Sequence, residues 1–222
     1  MADKKLELLT PSNSVLVLID YQPQMAFGVA NIDRQILKNN AVGLAKSAKL
    51  FSVPTILTSV ETESFSGYVF PELLDVFSAQ DIIERSSMNT WDSETVCKLI
   101  AATKKKKLIL AGLWTEVCIN MPALCALKEG YEVYVVEDAC GGTSAAAHRD
   151  AMYRMIQAGV VPISWLQLLL EWQRDWARKE MYTGVMDIVR EHCGAYGMGV
   201  DYAYTMVHKQ PRRDKSSGKI AK

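Results

Sequence analysis

The feature that most constrains this chain is the run SVLVLID at positions 14–20. It is β-branched and leucine-rich and shows no polar alternation. Such a run reads as a strand covered on both faces, the habit of a parallel sheet. Further runs of this kind recur as PTILTSV (54–60), DIIERS (81–86), LILAGL (108–113), YEVYVVEDA (131–139) and VVPISW (160–165). Pro54 stands at the first position of its run, where a strand tolerates proline.

The intervals between runs have helical character. Residues 31–51 place Ile32, Ile36, Leu37, Val42, Leu44, Ala45 and Ala48 at roughly helical spacing. Residues 71–77 open with Pro71, a favoured first helical residue. Asp92 is a candidate cap for a helix over 93–105. Helices over 115–129 and 144–158 end at Gly130 and Gly159, and another covers 166–179. Residues 61–67 read as a loop. Strands joined by helices imply parallel pairing with right-handed crossovers. The expected fold is a three-layer α/β/α sandwich with a six-stranded parallel sheet. One domain covers 1–180. Residues 181–222 form a C-terminal extension with room for one helix and a basic, disordered tail.

Composition narrows the function classes. Twenty-five basic residues balance twenty-five acidic ones among 222 residues, so charge makes no case for nucleic acid or membrane. The first residues contain no apolar leader segment, and no apolar run is long enough to span a bilayer. Five cysteines without a close CxxC pair argue against a disulfide framework or a zinc site. A cytoplasmic protein is the expectation. No Gly-rich nucleotide loop appears. The run KKKK (104–107) reads as a solvated face at a helix end.

Open parallel sheets bind ligands beyond the carboxyl ends of their strands. Asp20, Arg85 and Cys118 fall at that edge. If Thr115 is an N-cap, Cys118 sits in the first turn of a helix. Unpaired N–H groups there would lower its pKa and could hold an oxyanion. The three side chains would supply a base, a cation and a nucleophile. Each also has a bland reading: a core thiol, a capping carboxylate, a surface guanidinium. Tyr21, Phe27, Trp91 and Trp114 are candidate pocket walls, or core and subunit contacts. Gln22 and Asn89 could orient a substrate amide, and Thr115 is a further contact or a cap. Cys140, at the end of the fifth strand, ranks below Cys118.

The segments LVLIDYQ, AGLWTEVCI and VVEDACGGTS resemble the isochorismatase-like cysteine hydrolases. MNTWD, ALKEGYEVYVV and LLEWQRDWAR look most like the YcaC-type branch, and the resemblance spans about residues 10–180. It implies an Asp–Lys–Cys triad, in which Asp20 and Cys118 match. IIERSSMNTWD has no lysine at the matching place, and Arg85 is the nearest cation. The resemblance further implies a cis peptide between Leu113 and Trp114, and oxyanion donors at the amides of Trp114 and Cys118. It implies higher homo-oligomers, often octamers. SVETESFSGYVF lacks the histidines of the family's metal-dependent nicotinamidases, so neither metal nor cofactor is expected. The function implied is hydrolysis of a small amide, carbamoyl or related C–N substrate. Two rivals stand beside it: an inactive oligomeric scaffold or small-molecule binder, and a thiol-redox protein using Cys118 and Cys140.

Overall fold

The structure is a computed structural model that describes residues 7–210. Six parallel strands form one sheet: β1 (Ser14–Ile19), β2 (Thr55–Val60), β3 (Ile82–Arg85), β4 (Lys107–Gly112), β5 (Glu132–Val136) and β6 (Val161–Ile163). Their order across the sheet is β3-β2-β1-β4-β5-β6. All of β1 and all of β4 are buried, as continuous apolar runs require. The chain winds outward from β1 to β3, returns to the centre, and winds outward from β4 to β6. The reversal lies between β1 and β4, which run side by side from Ser14↔Lys107 to Ile19↔Gly112.

Nine helices complete the layers among the described residues: α1 (Pro23–Phe27), α2 (Arg34–Leu50), α3 (Pro71–Val76), α4 (Glu94–Ala102), α5 (Asn120–Lys128), α6 (Ala145–Ala158), α7 (Trp165–Gln173), α8 (Lys179–His192) and α9 (Ala195–Tyr202). Helix α2 packs with α3, α7 and α8 on one face, and α5 packs with α6 and the β5 strand on the other. The side-chain oxygens of Asp33, Ser93, Ser144 and Ser164 cap α2, α4, α6 and α7. These caps satisfy amides that a helix leaves unpaired.

Several local expectations are corrected. Ser93 caps α4, and Asp92 closes a short 3₁₀ turn before it. The loop after β2 contains a π-turn, Thr62–Ser66. The fifth strand ends at Val136 and gives way to a 3₁₀ turn, Glu137–Ala139. The helix expected over 166–179 stops at Gln173, where Arg174 takes a positive φ of 60°. Lys107 is no solvated residue. It is buried and pairs with Glu132 at 2.6 Å, with the Tyr134 hydroxyl 3.3 Å away. The extension holds two helices, where room for one was read. α8 begins before residue 181 and places Val185 and Val189 in the common core. The tail over 211–222 lies outside the described residues.

One glycine decides the centre of the sheet. A Cβ on Gly112 would fall 1.9 Å from the Ile19 carbonyl oxygen, and its φ is +152°. Glycine therefore lets the end of β4 close onto β1, where the Leu113 amide donates to the Ile19 carbonyl at 3.0 Å.

Candidate active site

Asp20, Arg85 and Cys118 meet beyond the carboxyl ends of β1, β3 and β4. Asp20 leaves β1 with φ 56° and is wholly buried. An aspartate tolerates this left-handed conformation better than most residues. One carboxylate oxygen accepts from the Thr58 hydroxyl at 3.0 Å, and the other accepts from the Arg85 guanidinium. A second Arg85 nitrogen donates to the Ser87 carbonyl, while Arg85 Nε is buried without a partner among the described residues. The Arg85 side chain is only 4% exposed, so the ion pair is shielded from water.

Cys118 sits in a π-turn, Thr115–Ile119, that leads into α5. The peptide between Leu113 and Trp114 is cis. The Trp114 amide and the Asp20 carboxyl group both act on the Cys118 thiol, the amide favouring its charged form and the carboxylate opposing it. Thr115 does not cap this turn. It lies inside it, with its hydroxyl 2.8 Å from His148 Nδ1.

The electrostatics reverse the expected depression of the Cys118 pKa. Burial and the adjacent Asp20 carboxylate push the thiol up to about 12, against the opposing pull of Arg85 and the Trp114 amide. Burial also raises the Asp20 carboxyl, although Arg85 and Thr58 favour its charged form. The Cys118 thiol therefore keeps its proton beside the Asp20 carboxyl group. An exposed helix start would lower a thiol pKa, but this turn is enclosed.

The structure separates the remaining candidates. Trp114 borders the cluster through its backbone, while its half-buried indole donates to the Met25 carbonyl at 2.7 Å. Tyr21 is buried in the core and gives its hydroxyl to the Ala139 carbonyl at 2.5 Å. Gln22 is likewise committed: its amide joins the Val60 backbone at 2.9 Å and the Gly67 carbonyl at 2.6 Å. Phe27 ends α1 and is 70% exposed.

Asn89 and Trp91 make their contacts in the turn after β3 and along α5, with the Asn89 amide 3.7 Å from Cys125 Sγ. Asn89 bonds Asp92 and the Trp91 amide within its own turn. The Trp91 indole donates to Glu129 at 2.7 Å, just past the far end of α5. That end lies roughly 15 Å along the helix axis from the turn that holds Cys118. Cys140 is fully buried, with its thiol also raised to about 12 by desolvation. Thr58 and His148 carry no sequence signal, because their contacts arise only when distant segments meet.

Residues 14–167 match the family model described as the isochorismatase domain. The chain belongs to the isochorismatase family. Within it, the curated Escherichia coli protein named "Probable hydrolase YcaC" is 38% identical over 169 residues, covering 76% of this chain and 81% of its own. The crystal structure of that YcaC, called an octameric hydrolase of unknown specificity, aligns with a TM-score of 0.85 at 34% identity. The alignment covers 90% of this chain and 97% of YcaC. Pseudomonas aeruginosa YcaC, crystallised with hexane-2,5-diol and covalent acrylamide, aligns with a TM-score of 0.84 at 34% identity, covering 88% and 96% of the two chains. The isochorismatase-family chain thus shares its six-stranded fold with YcaC proteins.

Proposed function

We propose that this isochorismatase-family protein is a cysteine-dependent hydrolase of small amide, carbamoyl or related C–N substrates. The observation that carries the reading is the single buried cluster of Cys118 thiol, Asp20 carboxylate and Arg85 guanidinium, drawn from three separate segments. In the reaction, Cys118 Sγ attacks the substrate carbonyl carbon while its proton passes to Asp20. The Trp114 and Cys118 amides face the oxyanion. Asp20 returns the proton to the leaving nitrogen as the C–N bond breaks, giving a thioester. Asp20 then takes a proton from water, which attacks the thioester. The C–S bond breaks, the acid departs, and the thiol regains its proton.

Arg85 holds Asp20 in place and keeps a fixed charge near the developing oxyanion. Its unpartnered Nε–H is a donor available to a substrate oxygen. An arginine keeps its proton throughout, so all proton transfer falls to Asp20.

A scaffold reading draws on a different fact: Cys118 is 2% exposed and Asp20 wholly buried, so substrate needs a path opened to them. The octameric relative supports a homo-oligomer for this chain too. No helix among the described residues is long and apolar enough to cross a membrane. The five cysteines are all free, in keeping with a reducing cytoplasm.

The deciding experiment supplies an activated acyl donor, p-nitrophenyl acetate, and follows nitrophenolate release with peptide mass spectrometry. The expected result is acetyl transfer to Cys118, absent from Cys118→Ala and strongly slowed in Asp20→Asn. Acetylation confined to other residues, or release unchanged in Cys118→Ala, would overturn the mechanism.

A further inference from the structure

The contact between Thr115 and His148 takes no part in the chemistry above, yet it grips the turn that carries the nucleophile. Thr115 follows Trp114 directly and is fully buried. Its amide donates to the Gly141 carbonyl at 2.9 Å, and its hydroxyl lies 2.8 Å from His148 Nδ1. His148 comes from the first turns of α6, where its own amide bonds the Ser144 carbonyl at 3.0 Å. Its other ring nitrogen lies 3.7 Å from a Glu137 carboxylate oxygen. That carboxylate favours the tautomer with the proton on Nε2, which leaves Nδ1 an acceptor for the Thr115 hydroxyl.

Neighbouring contacts hold the same pair. Glu116 accepts from the Thr143 amide at 2.9 Å and from its hydroxyl. A Cβ on Gly142 would come 2.8 Å from the His148 Cβ and 2.9 Å from a Glu116 oxygen. The approach to α6 is therefore packed directly against this turn. Trp114 lies on one side of Thr115 and Cys118 on the other. A rotation of the turn would move both the amide that faces the sulfur and the sulfur itself.

We infer that Thr115 and His148 are positioning residues: their hydrogen bond locks the π-turn so that Cys118 faces both Asp20 and the Trp114 amide. The inference rests on Cys118 being the nucleophile. A misplacement of about 1 Å in a reacting group can slow a reaction by roughly a hundredfold.

The test measures the Cys118 acetylation rate with p-nitrophenyl acetate in Thr115→Val, Thr115→Ser, His148→Leu and the wild type. Native-state alkylation of the buried Cys140 serves as a gauge of core opening. Thr115→Val and His148→Leu should slow Cys118 acetylation by about tenfold or more. Thr115→Ser, which keeps the hydroxyl, should restore the rate, and Cys140 should stay as protected as in the wild type. Unchanged rates in Thr115→Val and His148→Leu overturn the inference and leave the nucleophile standing. Slowing accompanied by exposure of Cys140 also overturns it, because the contact would then only hold the fold. A wild-type Cys118 that takes no acetyl group overturns the proposed function, and this inference with it.

Discussion

Cys118 carries its proton at neutral pH, and the chemistry depends on how it loses it. A thiol with a pKa near 12 has little thiolate at pH 7, and that little increases about tenfold with each pH unit. Iodoacetamide should therefore label Cys118 at a rate still climbing between about pH 7 and about pH 10, without a plateau. A plateau below about pH 8 would show a preformed thiolate and would contradict the buried geometry. Arg85 permits a second test at this scale. Removing one partner of a buried ion pair leaves a charge uncompensated, at a cost of about 3–5 kcal/mol. Arg85→Met should lower stability by that order in urea unfolding, whereas Arg85→Lys should lose much less. The sequence made the three residues visible through their places after strands. It could not show the state of the thiol, because that depends on the burial of Cys118 and on Asp20 lying against it. The fate of Trp91 was equally hidden: a 3₁₀ turn of three residues sends its indole to Glu129, past the far end of α5.

At the scale of elements, the junction between β1 and β4 governs the site. Gly112→Ala would drive a methyl group into the Ile19 carbonyl, so the strands must part or shift. The expected outcome is a loss of about 4 kcal/mol or more, together with loss of Cys118 acetylation, read by urea titration and mass spectrometry. Helix α8 makes a milder case. Val185 and Val189 are both fully buried, and each Val→Ala should cost about 2 kcal/mol in urea unfolding without changing the Cys118 acetylation rate. The strands β1 and β4 were legible because burial on both faces leaves an unbroken apolar run. The ends of β5 and α7 were not. YEVYVVEDA carries no glycine or proline stop after Val136, and QRDWARKE continues in helix formers past Gln173. Tertiary contacts stop both, including the Asp138 carboxylate that accepts from the Trp165 amide at 2.9 Å.

For the whole molecule, burial of two thiols predicts a particular alkaline weakness. Cys118 and Cys140 both have folded-state pKa values of about 12, above the ordinary 9.0. Their contribution is complete below the unfolded value and is lost as pH rises from about 9 toward 12, because the unfolded chain ionises first. Stability should fall across that window, and less steeply in a Cys118→Ser, Cys140→Ser double variant; denaturant titrations at stepped pH would show it. Light scattering should find more than one copy of the chain per particle, by comparison with octameric YcaC. The central pairing of β1 with β4 carries a last consequence. Both strands are wholly buried, and the site hangs from their two ends. Amides in such a place exchange with deuterium mainly when the entire domain opens. The proposed catalytic arrangement should therefore vanish in the same cooperative step that melts the sheet, and recovered acetylation would report refolding of the whole domain.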